Sequence, residues 1–250
     1  MISIKGLKKS FGAQVVLDDL FFEIPDGKIT VIIGRSGEGK SVLLKHMMGL
    51  IRPDSGEVVV DGVSLFTLDD FQLNENRKQF GMLFQNAALF DSMTVFENIA
   101  FPLVEHSVLS GNKITERVND LISLVGMDEV VLKKFPSELS GGMRKRVGLA
   151  RAIALKPKIL LYDEPTTGLD PVMTDVVDHL ILNTQKKLKV TSVVISHDIS
   201  AVYAIADKIA MLHEGKILMD GTPDEFKNTN NEVIKNFLEG RATGEQLKDL

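Results

Sequence analysis

The spacing of apolar residues changes several times along the chain, and each change predicts an element. Near the N-terminus apolar and polar positions alternate, as at Ile2 and Ile4 and again at Phe22 and Ile24. That two-residue period marks a strand with one buried face. Pro25-Asp26-Gly27 reads as a turn between two strands. Ile29 to Ile33 is a short β-branched run that stops at Gly34, the pattern of a buried strand entering a glycine-rich loop. Ser41 to Leu50 follows with helical spacing. Arg52-Pro53-Asp54-Ser55-Gly56 is a turn, Glu57 to Asp61 a strand, and Phe80 to Phe84 another.

From about Met93 to Lys134 the period becomes helical. Thr94 with Glu97 three residues on has the spacing of a capping box. Gly111-Asn112 breaks this region ahead of a second helix over about 113–125, and Ser140-Gly141-Gly142 opens another that runs to about Leu155. Ile159–Tyr162 and Val193–Ser196 are apolar strands, with helices between and after them. The tail from Pro223 is more polar and predicts two short helices. Strands alternating with helices predict an α/β fold with a mainly parallel sheet. The antiparallel N-terminal strands and the helical 93–155 segment read as two attachments to it.

Composition narrows the chemistry. Lys+Arg number 29 and Asp+Glu 34, a formal charge of −5, in a chain of 250 residues that is 44% hydrophobic. This is ordinary globular composition, neither disordered nor collagen-like. No positive field exists to draw in nucleic acid, so no nucleic-acid partner is expected. With no cysteine, disulfides, thiolate catalysis and cysteine-ligated zinc are excluded. No apolar run approaches the roughly 18 residues of a membrane span, and the first residues lack a signal-peptide core. The expectation is a soluble protein of a reducing compartment.

Gly34-Arg35-Ser36-Gly37-Glu38-Gly39-Lys40-Ser41 matches G-x-x-x-x-G-K-[ST], between a strand and a helix. The glycines let backbone N–H groups turn toward phosphate oxygens, and the helix N-terminus adds its positive end. Lys40 can reach the β- and γ-phosphates, and the Ser41 hydroxyl can bind Mg²⁺. Val42 follows, so contact from that position must come from its backbone N–H. Further on, Asp163-Glu164 ends the apolar strand Ile159–Tyr162. That end of an α/β strand faces the ligand crevice. Asp163 would hold Mg²⁺ through water, and Glu164 would polarise an attacking water as general base. His197 follows the strand Val193–Ser196 and could reach the γ-phosphate and that water. His46, His106, His179 and His213 read as structural or surface residues.

Between these elements lies Leu139-Ser140-Gly141-Gly142-Met143. It resembles the signature of ATP-binding cassette (ABC) ATPases, usually Leu-Ser-Gly-Gly-Gln. The order phosphate loop, Gln85, signature, Asp163-Glu164, Asp170 and His197 matches that family over about residues 2–222. The resemblance implies a P-loop NTPase core with an N-terminal antiparallel β subdomain and an inserted α-helical subdomain. It implies an ATPase domain at 1–222, with the helical insertion at about 86–155, and a C-terminal helical tail at 223–250. By the same resemblance Phe11 stacks on adenine, Gln85 is the Q-loop glutamine that senses Mg²⁺, Thr167-Gly168-Leu169-Asp170 is the D-loop, and His197 is the switch histidine.

Ser140, Gly141 and Gly142 match the residues that contact the γ-phosphate of a nucleotide on the opposite subunit, with Asp170 also acting across the dimer. They precede a helix, so they form a second anion site of free N–H groups. That makes sense in a head-to-tail homodimer closed by ATP and reopened by hydrolysis. Met143 replaces the usual Gln and removes one amide, but the backbone donors remain.

Phe84 to Val95, Leu139 to Arg151, and Val233 to Gly240 are similar to the ATPases of Mla-type phospholipid transport. That subgroup implies an integral-membrane permease of the MlaE type, a lipid-binding MCE-domain protein and, in some members, a small STAS-domain protein. It implies a peripheral location on the cytoplasmic face of the inner membrane of a diderm bacterium. The family docks its permease on the Gln85–Leu103 region, where Leu89, Phe90, Met93 and Phe96 supply either a docking surface or subdomain core. Arg144-Lys145-Arg146 reads as a solvated helix face. The alternatives are an importer of amino acids, metal ions or other small solutes, a soluble ATPase acting on ribosomes or DNA, and a cassette that binds without hydrolysing.

Overall fold

The computed structural model describes residues 1–241, so the part of the expected tail at 242–250 lies outside the described residues. Strands β1 (Ile2–Phe11), β2 (Gln14–Ile24), β4 (Ser55–Val60) and β5 (Val63–Ser64) form an antiparallel sheet in the order β2-β1-β4-β5. Its buried face carries Ile2, Ile4, Leu17 and Ile24, the alternation seen in the sequence.

The second sheet runs β10-β9-β3-β8-β7-β6. It comprises β3 (Ile29–Ile33), β6 (Phe80–Leu83), β7 (Ile159–Asp163), β8 (Thr191–Ile195), β9 (Lys208–His213) and β10 (Lys216–Gly221). All its pairings are parallel except that of β9 with β10. β3 and β8 are buried at every position. That is why they read as continuous apolar runs rather than alternations: both faces of the sheet are covered. β10 is an edge strand whose residues alternate between exposed and half-buried.

The pleat of β7 separates two cores. Leu160 and Tyr162 face one, with helices α3 (Val95–His106), α4 (Asn112–Leu124) and α5 (Gly141–Ala152). Ile159 and Leu161 face the other, with β1, β2, β4 and α1 (Lys40–Met47). On α4, Val118, Leu121 and Ile122 are fully buried at i, i+3 and i+4, and burying each contributes about 1.5–3 kcal/mol. Thr94 and Glu97 form the expected capping box at the start of α3. The sequence reading had passed over α2 (Asp70–Arg77), which has a capping box of its own from Asp69 and Gln72.

Helices α6 (Pro171–Leu188) and α7 (Ile199–Ile205) complete the α/β alternation. Beyond β10, α8 (Pro223–Lys227) and α9 (Glu232–Leu238) bury Phe226 and Ile234 in the core that holds Tyr162. The parallel strands β3, β6, β7 and β8 end on one side of the sheet. Gly34, Gln85, Glu164 and His197 all follow those ends.

Candidate functional site

The chain leaves β3 through Gly34 and enters α1 at Lys40. Gly37 and Gly39 have φ of 83° and 96°, conformations that L side chains rarely adopt. Gly39 also lies under β2, where a Cβ would come within 2.7 Å of Val16. No side chain caps α1, so its first N–H groups point into the loop it closes, as an anion site requires. Lys40 is buried, and its Nζ donates to the carbonyls of Gly34 (2.8 Å) and Arg35 (2.7 Å). Burial pushes its pKa down, against the attraction of Glu164, Glu38 and Asp163.

Under the loop, the Ser41 hydroxyl donates to Asp163 Oδ1 at 2.9 Å. Glu164 is the hub of the site. Its Oε2 accepts from Gln85 Nε2 at 3.3 Å and from the Thr167 hydroxyl at 3.0 Å. His197 Nδ1 stands 3.7 Å from the same oxygen, with an exposed ring. Glu164 sits at φ 48°, in the left-handed region that costs an ordinary residue about 1 kcal/mol or more. Its backbone is held there from both sides: its N–H donates to the Ile195 carbonyl, and its own carbonyl accepts from Lys145 Nζ.

A cleft of about 450 Å³ opens over these groups. Phe11, Gln14 and Val16 wall one end, and Ser36, Gly37, Gly39, Lys40, Ser41, Val42, Gln85 and Glu164 the other. Phe11 is half exposed at the end of β1, with Lys9 Nζ 5.5 Å from its ring centre. The structure thus gathers Phe11, the phosphate loop, Gln85, Glu164 and His197, with Asp163 below them. Glu38 points elsewhere. Its Oε1 lies 3.1 Å from His213 Nδ1, and its Oε2 accepts the Glu214 N–H at 2.6 Å. Gly34 and Arg35 contribute carbonyls to Lys40 rather than walls to the cleft.

Ser140, Gly141, Gly142 and Asp170 do not line this cleft. Ser140 caps α5 by accepting from the Met143 N–H, and Asp170 caps α6 the same way through the Met173 N–H. Gly141 borders a second cavity of about 310 Å³, shared with Gln85, Arg144, Lys145, Thr167 and Leu169.

The solvated helix face expected for Arg144-Lys145-Arg146 holds for Arg144, which is exposed, but not for Lys145, with Arg146 half-buried. Each side chain reaches a backbone carbonyl: Arg144 that of Leu139, Arg146 that of Gly126, and Lys145 those of Gln85 and Glu164. Lys145 is buried. Charge runs are usually solvated, but α5 is packed on several sides. Val147, Gly148, Leu149 and Ala150, all buried, give the signal that was missed.

Of the apolar residues between Gln85 and Leu103, Leu89 and Phe96 pack against the core, whereas Phe90 is open. Phe90 joins Met82, Phe84, Ala88, Phe101 and Pro102 in a largely apolar groove of about 460 Å³.

The ABC transporter family model matches residues 17–167, the stretch that spans the phosphate loop, Gln85, the signature and Asp163-Glu164. This chain belongs to the ABC transporter family. It is an ATP-binding and ATP-hydrolysing subunit of an ABC transporter. A probable ribonucleotide transport ATP-binding protein, mkl, of Mycobacterium leprae is 41% identical over 245 residues, covering 97% of this chain and 70% of that protein. The intermembrane phospholipid transport system ATP-binding protein MlaF of Haemophilus influenzae is 40% identical over 244 residues, covering 98% and 92%. A dimeric ATP-binding cassette solved in a post-hydrolysis state with ADP and Pi superposes with a TM-score of 0.81 at 30% identity, covering 89% of this chain and 98% of the other. In this ABC ATPase no helix among the described residues is long and apolar enough to cross a membrane.

Proposed function

We propose that this ABC ATPase powers phospholipid transport between the two membranes of a diderm cell. The observation that carries the ATPase chemistry is the convergence on Glu164 Oε2 of Gln85, Thr167 and His197 beside the Ser41–Asp163 pair. The cargo reading rests on likeness to the phospholipid-transport ATPase MlaF over nearly the full length of both chains. The name of mkl mentions ribonucleotides instead, so cargo is decided by experiment.

The adenine ring would stack on Phe11. The N–H groups of Gly37, Gly39, Lys40, Ser41 and Val42 would bind phosphate oxygens, with Lys40 turning its ammonium from the Gly34 and Arg35 carbonyls toward the outer phosphates. Ser41, Asp163 and Gln85 offer an all-oxygen donor set, which suits Mg²⁺. Among the described residues no cluster of three or more His, Asp or Glu could hold a metal. Mg²⁺ in nucleotide sites takes most of its ligands from phosphate and water. When bound, the ion would neutralise charge on the β- and γ-phosphates. Glu164 would take the proton of the attacking water, with its carboxylate held in line by Gln85 and Thr167. His197 would act as a donor at the γ-phosphate.

Ser140, Gly141, Gly142 and Asp170 would serve the nucleotide of a second copy in a head-to-tail homodimer. Residues 1–222 form the cassette on this reading, about 86–155 its helical insertion, and the chain from 223 a tail anchored by Phe226 and Ile234. The apolar groove around Phe90 suits a helix of an MlaE-like integral-membrane permease. An MCE-domain lipid-binding protein and a STAS-domain protein complete the proposed assembly, with this chain peripheral on the cytoplasmic face of the inner membrane.

The test is affinity purification of the chain from gently solubilised native membranes, with proteins and lipids identified by mass spectrometry. A permease recovered with an MCE-domain protein and phospholipid supports the reading. A permease with a soluble solute-binding protein moves it to the importers, and ribosomes or DNA without a permease would sink the transport role.

A further inference from the structure

One ridge of α5 grips the loop after β6. Lys145, Gly148 and Arg151 recur every three residues and so follow one inclined row on the helix surface. Lys145 Nζ donates to the Gln85 carbonyl. Arg151 donates to the carbonyls of Ala87 and Ala88, each at 2.8 Å. Between the two cations the helix presses directly on the loop. A Cβ at Gly148 would stand 2.8 Å from Leu83 Cδ1 and 3.0 Å from Ala87 Cβ.

Lys145 is buried and Arg151 half-buried, and burial pushes both pKa values down. Such groups are costly to bury unless each donor finds an acceptor. Here the acceptors are backbone carbonyls of a loop that needs support, since Ala87 and Ala88 sit at φ 59° and 48°.

The two ends of the ridge face different places. Arg151 lines the apolar groove with Phe84, Ala88 and Phe90, and lies 5.6 Å over the Phe90 ring. Six residues earlier, roughly 9 Å along the helix at 1.5 Å per residue, Lys145 reaches past Gln85 to the Glu164 carbonyl at 3.4 Å. Ser140 caps the start of the same helix.

We propose that the Lys145–Gly148–Arg151 ridge clamps the backbone of the Gln85–Ala88 loop in the shape the site needs. Lys145 is the positioning residue, joining that loop to the backbone of Glu164. The inference deepens the functional reading above and rests on it for the role of Glu164.

The test uses the full chain and the variants Lys145→Met, Arg151→Met and Lys145→Arg. Hydrogen exchange of residues 84–90, ATP affinity, melting temperature and ATP hydrolysis are measured on each. Expected results are exchange in 84–90 about tenfold faster in both Met variants, ATP affinity within about twofold of the parent, and about tenfold lower kcat for Lys145→Met. Lys145→Arg, which keeps charge and donors, restores the protection of 84–90. Unchanged exchange in both Met variants overturns the clamp. So does faster exchange spread over the whole molecule with a matching loss of ATP affinity, because that is general destabilisation. Glu164→Gln assayed alongside separates the two readings: if it hydrolyses ATP at the parent rate, the base assignment fails while the exchange data still decide the clamp.

Discussion

The Thr167 hydroxyl donates to Glu164 Oε2 across 3.0 Å, tying the loop that leads into α6 to the carboxylate at the end of β7. A hydrogen bond to a charged group contributes about 1.5–3 kcal/mol. Thr167→Val keeps the shape and removes the donor. We expect kcat to fall about tenfold or more with little change in KM, since the bond orients the base rather than the nucleotide. Steady-state kinetics on the variant checks this, and a wild-type kcat would show that Thr167 is a bystander.

Glu164→Gln keeps every contact the side chain accepts through one oxygen but cannot take a proton. Loss of a general base costs about 10²- to 10⁴-fold. The variant is expected to bind ATP normally and to accumulate as an ATP-bound dimer. Size-exclusion chromatography with light scattering, with and without ATP, reads the outcome. A variant that stays monomeric in ATP, or that still turns over, contradicts the assignment.

Ser41→Ala removes the hydroxyl that now donates to Asp163 at 2.9 Å. We expect the Mg²⁺ concentration needed for half-maximal hydrolysis to rise about tenfold, equivalent to roughly 1.4 kcal/mol. Binding of ATP without Mg²⁺ should change much less, because the backbone cradle is intact. Titration calorimetry in EDTA and in Mg²⁺ separates the two, and equal losses in both would refute a metal role.

Asp178 gives a stability signature. It is 7% exposed on α6, and burial, with Asp198 and Asp175 nearby, raises its pKa from 3.8 to about 6. The sign follows from proton binding. The native state holds the proton more tightly, so the burial penalty is absent below the unfolded pKa, grows as the pH rises toward 6, and is constant above that. Asp178→Asn should therefore raise the melting temperature at pH 8, by the equivalent of up to about 3 kcal/mol. The gain should shrink steadily toward pH 4.5. A benefit that does not depend on pH would show that ionisation of Asp178 is not its source.

Much of this molecule is legible in its residues because its chemistry is local. The phosphate loop is contiguous, and the glycines that bend it are spaced by backbone need. Asp163 and Glu164 are neighbours at a strand end, so topology alone carries them to the crevice. The double-sided burial of β3 and β8 shows as unbroken apolar runs, and Thr94 with Glu97 announces α3.

What escaped notice depends on partners distant in sequence. Lys145 looks like one more charge in a basic run until α5 is packed 60 residues away from its acceptor in the Gln85 loop. Glu38 looks like a phosphate-loop side chain until the β9–β10 turn brings His213 and Glu214 to it. Leu89, Phe90 and Phe96 are equally apolar in sequence, and only packing decides that Phe90 is the one left open.

The pleat of β7, which sends Leu160 and Tyr162 one way and Ile159 and Leu161 the other, gives the protein a fault line. On one side lie helices α3, α4 and α5, on the other β1, β2, β4 and α1, and the apolar groove draws on both through Ala152 and Met82. Away from that groove, substitutions in one core reach the other through a shared layer of backbone. The helical side can therefore be repacked while the bed under the phosphate loop stays as it was. A lineage built on this plan can rework its helices without reshaping the cradle in which ATP lies.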